Sequence, residues 1–399
     1  MSRHLLSRKL QNMSESATIK MAQKARELKA KGIDVISLSL GEPDFDTPDF
    51  IKDAAIQALK DGYTKYTPVP GLPVLKEAIA QKLKRDNGLD HELNEIMVSN
   101  GAKQCIANIC LSLLDEDDEV IIFTPYWVSY FEIVKFCGGK PVPLYAGIDQ
   151  DFKVRPEQLE DVINEHTKLI IFSSPSNPTG SLYSKEELEA LSQVILNHDN
   201  LFVLADEIYE YINFIGKTAS IGAVSGMKER TLTVNGMSKG FAMTGWRLGY
   251  VAGPSWIIDS CAKVQGQFTS GANAFGQVAA AHALRAPLDE TFAMRDEFKK
   301  RRDLVKNALD QIDGLNTNNP EGAFYFFPEI SSFFGRSNGK RVIHDADEFV
   351  DVLLDEANVA VVTGTAFGDP NSFRLSYAAS EEQLESATER MQNVLGSYK

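Results

Sequence analysis

The sequence predicts an α/β fold: a large domain with a mainly parallel central sheet, and a smaller α+β domain. Three observations lead there. Short, wholly apolar runs recur through the middle of the chain, helix-like stretches separate them, and a long charged helix after residue 287 introduces a different pattern. Strands that are apolar on both faces suit a parallel sheet covered by helices on either side. The expected large domain is 48–287; residues 1–47 form an arm that goes with a small domain at 288–399.

Taken in order, Ile96–Ser99 reads as a strand, Lys103–Leu114 as a helix and Glu119–Phe123 as a second strand. Leu169–Ser173 is a third strand, Lys185–Asn197 a helix and Leu201–Ala205 a fourth strand. Thr231–Asn235 and Arg247–Ala252 complete the set. Leu288–Ile312 is a long amphipathic helix whose charges, Arg295 to Asp303, read as a solvated face. Beyond it, Ala323–Pro328, Val359–Val362 and Phe373–Tyr377 are strands and Asp345–Glu356 a helix. The last helix starts at the capping signal Ser380-Glu-Glu-Gln383.

Length and composition bound the function. With 399 residues there is room for a sizeable core. Apolar residues at 43% and charged ones at 24% place the chain among globular proteins. Lys plus Arg number 41 against 55 Asp plus Glu, a net charge of −14, which argues against a nucleic-acid binder. No apolar run approaches a membrane span, and the basic start lacks the apolar stretch of a secretory signal. Cys105, Cys110, Cys137 and Cys261 form no C-x-x-C pair, and the six histidines are scattered. These features predict a reduced, cytoplasmic protein without a metal site.

Four segments carry candidate chemistry, and each follows a predicted strand. Asn235-Gly-Met-Ser-Lys239 opens a Gly/Ser-rich turn with Arg247 eight residues on. Burial there would lower the lysine pKa and free its amine as a nucleophile; taken alone, Lys239 reads as an exposed lysine on a surface turn. Asp206 ends an apolar strand and Tyr209 follows it. A carboxylate so placed either faces a ligand or caps a helix. Ser173-Ser-Pro-Ser-Asn177-Pro-Thr-Gly180 is a rigid turn that would aim the Asn177 amide. Ser99-Asn-Gly101-Ala102-Lys103 starts a helix whose N–H groups suit a phosphate, though it is neither a P-loop nor G-x-G-x-x-G. Together they offer an amine, an acid, an amide and a phosphate cradle, the set that pyridoxal phosphate requires.

At this point the chain resembles a known family. Ser39-Leu-Gly41-Glu-Pro-Asp-Phe-Asp-Thr-Pro48, Lys65-Tyr66-Thr-Pro-Val-Pro-Gly71 and Pro125-Tyr-Trp127-Val-Ser-Tyr130 carry the resemblance. So do Asn177-Pro-Thr-Gly180, Asp206-Glu-Ile-Tyr209, the Lys239 segment and Phe373-Arg374-Leu-Ser-Tyr377. In this order they resemble the class I aminotransferases of fold type I, in the branch of bacterial aspartate and aspartate/prephenate aminotransferases. The resemblance implies a homodimer using pyridoxal 5'-phosphate to pass an amino group from L-aspartate or L-glutamate to a 2-oxo acid. It implies that Lys239 forms the internal aldimine and shuttles the α-proton, and that Asp206 keeps the pyridine nitrogen protonated. Asn177 and Tyr209 would bond the ring's phenolic oxygen, and Trp127 would stack on the ring. Gly101, Ala102, Ser238 and Arg247 would hold the phosphate, joined by Tyr66 from the neighbouring subunit. Arg374 would clamp the α-carboxylate and Gly41 border the substrate, while Lys103 and Thr18 would read the side-chain carboxylate.

Two departures stand out. Gly236 stands where some members have serine, and Gln267–Ala274 lacks the second arginine of the better-known aspartate aminotransferases. An aromatic- or prephenate-preferring aminotransferase is the nearest alternative, and a β-lyase on the same fold is a further one. A regulator built on such a domain would need a DNA-binding segment, for which only 47 residues precede the expected large domain.

Overall fold

The computed structural model describes residues 6–11, 13–216 and 219–399. Seven strands form the central sheet: β1 (Ile96–Ser99), β2 (Glu119–Thr124), β3 (Lys140–Tyr145), β4 (Thr167–Ser173), β5 (Phe202–Asp206), β6 (Thr231–Gly236) and β7 (Gly249–Ala252). Their order across the sheet is β1-β7-β6-β5-β4-β2-β3. The β6-β5-β4-β2-β3 run is parallel, and β7 is antiparallel to both its neighbours. The expected mainly parallel sheet is therefore present, with β1 running in the same direction as the parallel set.

Alternation along the strands explains why they read as continuous apolar runs. Val120 and Ile122 enter one buried cluster with helix Ala102–Leu113, while Ile121 and Phe123 enter another with helix Lys185–Leu196. Both faces are dry, so neither register position is polar. A third cluster joins helices Asp49–Lys60, Pro73–Lys82 and Ala274–Arg285 against β1 and β7.

The C-terminal part contributes a three-stranded antiparallel sheet of Tyr325–Phe326, Phe373–Ser376 and Val362–Thr363. The expected strand at 323–328 shortens to two residues. Ala323 adopts a positive φ of 56° and bonds instead to the Ile212 carbonyl. The expected 359–362 strand splits, with Val359–Ala360 pairing in parallel with Ile36–Ser37. The segment 25–37 thus returns to the C-terminal part, where Ala25 and Val35 pack on Leu354 and Ala360. Helices Asp289–Leu309, Ala346–Glu356 and Glu381–Leu395 cover this block, and Ser380 caps the last by accepting from the Gln383 N–H at 3.3 Å.

Candidate active site

Strand register brings the chemistry to one edge of the sheet. Ser173 pairs with Asp206, Gly236 with Gly249, and Gly249 with Ser99. The carboxyl ends of β1, β4, β5 and β6 therefore lie level. Ligands of open α/β sheets bind in the crevice outside such ends. A cavity of about 360 Å³ lies there, within the range of small-molecule sites. It is lined among others by Lys239, Asp206, Asn177, Tyr209, Arg374 and Trp127.

Lys239 donates to the Gly41 carbonyl, and burial pushes its amine down to about 8. The Arg374 and Arg247 charges push the same way, while Glu42 and Asp206 oppose them. Asp206 lies one sheet position away and is 5% exposed. Burial pushes its carboxyl up to about 6, against hydrogen bonds from the Tyr130 hydroxyl at 2.6 Å and the Ile208 N–H at 3.2 Å. A lysine near neutrality facing a fixed, buried carboxyl is suited to proton transfer and amine chemistry.

Arg374 is 1% exposed. Its Nη1 donates to Asn177 Oδ1 at 2.9 Å and its Nη2 to the Ser39 carbonyl at 2.6 Å. Its Nε is buried with no partner. Arg374 lines the cavity, and a guanidinium so placed suits a carboxylate. The ring of Tyr325 lies 4.5 Å from the same guanidinium, and the Tyr325 and Tyr209 hydroxyls meet at 2.7 Å.

The opposite end suits a phosphate. Gly101 sits at φ 87°, and no side chain caps helix Ala102–Leu113 at its start, which leaves N–H groups free. The positive φ at Gly101 strains any other residue, and a Cβ there would displace the Arg247 guanidinium. Ala102, Ser238 and Arg247 line the cavity beside it. Arg247, expected as the first residue of a strand, lies outside the observed one, which starts at Gly249. At φ 55° it precedes β7, and its Nη1 and Nη2 donate to the Thr244 and Asn100 carbonyls at 2.8 and 3.3 Å. These residues fit a phosphorylated pyridine aldehyde bound between Arg247 and Lys239.

Thr18, Gly41 and Lys103 also reach the cavity. Lys103 Nζ lies 4.9 Å over the Trp127 ring and has no ion-pair partner among the described residues. The protein around its ammonium and the Arg247 charge lower its pKa. Tyr66 is not brought to this cavity; it is 98% exposed. The cavity adds Tyr130, Tyr325, Glu42 and Thr244, which the sequence did not single out for chemistry. Tyr130 closed a quoted motif and so carried a signal; Tyr325 lay in a predicted strand with nothing to mark it for chemistry. Among the described residues no group of three or more His, Cys, Asp or Glu is placed to hold a metal, and no helix is long and apolar enough to cross a membrane.

Comparison with known proteins accords with this geometry. The class I and II aminotransferase family is matched over residues 33–391. The chain belongs to that family. It is 47% identical over 394 residues to a probable aspartate/prephenate aminotransferase of Rhizobium leguminosarum, covering 98% of each chain. It is 46% identical to an aspartate aminotransferase of Geobacillus stearothermophilus, again over 98% of each. Among solved structures, the aspartate aminotransferase of Rhizobium meliloti superposes with a TM-score of 0.96 at 42% identity, covering 99% of both chains. The aminotransferase fold anticipated from the motifs is thus matched over 99% of the chain.

Proposed function

We propose that this aminotransferase uses pyridoxal 5'-phosphate to move the amino group of L-aspartate or L-glutamate to a 2-oxo acid such as 2-oxoglutarate, in two half-reactions. The observation that carries the reading is one cavity holding a buried lysine near neutrality, a buried carboxyl, and an arginine with an unpaired N–H. The aspartate aminotransferase names of the relatives support the donor.

When bound, the cofactor supplies an electron sink for the bond broken at the substrate's α-carbon. Gly101, Ala102, Ser238 and Arg247 bind its phosphate, and Trp127 covers its ring. Asp206, held by Tyr130 and the Ile208 N–H, keeps a proton on the pyridine nitrogen. Asn177 and Tyr209 orient the ring through its phenolic oxygen. Lys239 Nζ carries the cofactor at rest and then holds the α-proton during transfer. Arg374 binds the α-carboxylate beside the Gly41 backbone. Lys103 and Thr18, at the mouth, read the side-chain carboxylate in place of the absent second arginine. The large domain is 48–287, with 1–47 and 288–399 as the arm and small domain. The working unit is a homodimer in which Tyr66 serves the neighbour's phosphate. Four buried, free thiols suit a reducing cytoplasm.

The test is incubation of the pyridoxal-phosphate-loaded protein with L-aspartate and 2-oxoglutarate. Equal amounts of glutamate and oxaloacetate are expected. No glutamate from aspartate, with ammonia, pyruvate and homocysteine released from cystathionine and water in a parallel assay, would indicate a lyase. Faster turnover of prephenate or an aromatic amino acid would move the specificity to the alternative reading.

A further inference from the structure

Tyr325 belongs to none of the roles above, yet it occupies the junction between them. It lies in the C-terminal sheet, where Ser376 and Leu375 pair with Tyr325 and Phe326. Arg374 is the next residue of that strand, and its guanidinium stacks 4.5 Å from the Tyr325 ring centre. A cation held over an aromatic face is an attractive contact that fixes both groups. The ring is fully buried and packs edge-on to Tyr209 at 5.8 Å and against Phe324 at 4.8 Å.

The hydroxyl end faces the central sheet. It meets the Tyr209 hydroxyl at 2.7 Å, and either oxygen can donate. It also lies so close to the Gly41 Cα that a Cβ there would collide with it. Gly41 in turn accepts from Lys239. One phenol therefore touches Arg374 with its ring and Tyr209 and Gly41 with its oxygen.

We infer that Tyr325 is a positioning residue that couples the carboxylate clamp to the cofactor's hydrogen bonds. The inference rests on the proposed function. When the Tyr325 hydroxyl donates to Tyr209, the Tyr209 proton is free to point into the cavity; with the roles reversed, that proton is occupied. A carboxylate on Arg374 neutralises the charge stacked on the Tyr325 ring and biases this choice. Occupancy of the clamp is thereby felt at Tyr209, and by linkage Tyr209's bonding is felt at the clamp.

The experiment uses Tyr325→Phe, which removes one oxygen and keeps the ring over Arg374. The holoenzyme is titrated with succinate, an unreactive dicarboxylate, at one pH while the absorbance band of the bound cofactor is followed. Succinate should shift the band in the unaltered protein. In Tyr325→Phe that shift should fall to about half or less, with the succinate Kd within about threefold of the original. Turnover of aspartate should fall about tenfold, in kcat rather than KM, as for one lost hydrogen bond. Tyr209→Phe should lose the same band shift, and adding Tyr325→Phe to it should cost nothing more. The Tyr209→Phe measurement also decides the matter if Tyr325→Phe proves unstable. An undiminished band shift in either variant would overturn the coupling, as would additive losses in the double variant. If pyridoxal phosphate gives no band with the unaltered protein, the proposed function itself fails and the coupling falls with it. An intact band with an undiminished shift in Tyr325→Phe removes the coupling alone.

Discussion

In the protein freed of cofactor, Lys239 should titrate near pH 8 rather than with the surface lysines. Its amine is pushed down to about 8 from 10.5, mainly by burial. At pH 8 about half of Lys239 is then neutral, against well under ~1% of an ordinary lysine, roughly a hundredfold gain in free amine. Two charge changes should move the midpoint in opposite directions. Glu42→Gln removes a carboxylate that raises the value, so the midpoint falls. Arg374→Leu removes a cation that lowers it, so the midpoint rises. Trace acylation across roughly pH 6–11 with peptide mapping reads each lysine separately. The same shift has a consequence for stability. Between about pH 8 and 10.5 the unfolded chain holds a proton on Lys239 that the folded one has lost, so stability rises with pH across that window. The cost below pH 8 is on the order of 3 kcal/mol, and Lys239→Leu should be free of it. A Lys239 peptide that acylates in step with exposed lysines near pH 10 would refute the reasoning.

Asp206→Ala should lower turnover roughly a thousandfold or more while pyridoxal phosphate still binds; near-normal activity would remove its role. Tyr130→Phe deletes a hydrogen bond that lowers the Asp206 pKa, so that carboxyl should titrate higher and kcat fall about tenfold. Lys103→Ala should weaken kcat/KM for aspartate far more than for phenylalanine, while Arg374→Ala weakens both; equal losses in Lys103→Ala would reduce Lys103 to a support of the phosphate end. Mixing inactive Tyr66→Ala and Lys239→Ala chains should restore about a quarter of full activity, since half the dimers then hold one intact site. No recovery on mixing, or a fully active monomer in light scattering, would reject the shared site.

How much was legible follows from where each residue gets its neighbours. The strands β2, β4, β5 and β6 were readable because helices cover both faces, and their ends moved by only a residue or two. β3 escaped because it carries Pro141 and Pro143 in a half-exposed run. That sequence argues against a central strand, and β3 is indeed an edge strand with β2 as its one neighbour. Helix Ala17–Ala30 escaped for a different reason. Its buried face is only Ala22 and Ala25, and the surface it needs comes from Leu354 and Ala360, more than 300 residues away. Lys239, Asp206, Asn177 and Gly101 were readable from their positions after strands. Tyr325 was not, because its partners Tyr209, Gly41 and Arg374 come from three separate stretches of chain.

Arg247 shows what a pattern of apolar residues leaves out. The run from Arg247 to Ala252 reads as one strand, with the arginine as its first residue. In the fold the strand starts at Gly249, because β7 runs against its neighbours. Its beginning, not its end, therefore lies level with the carboxyl ends of the parallel strands. A residue just before it therefore lies on the crevice side, and Arg247 sits there with a φ of 55°. The guanidinium then lies against Gly101 at the start of the helix that follows β1, two sheet positions from the strand that leads to Lys239. Strand direction is a property of the paired sheet and is invisible in the run itself. The same reversal that blurred the strand boundary thus places a cation at the phosphate end of the cavity, where a parallel strand would have pointed it at the far edge of the sheet.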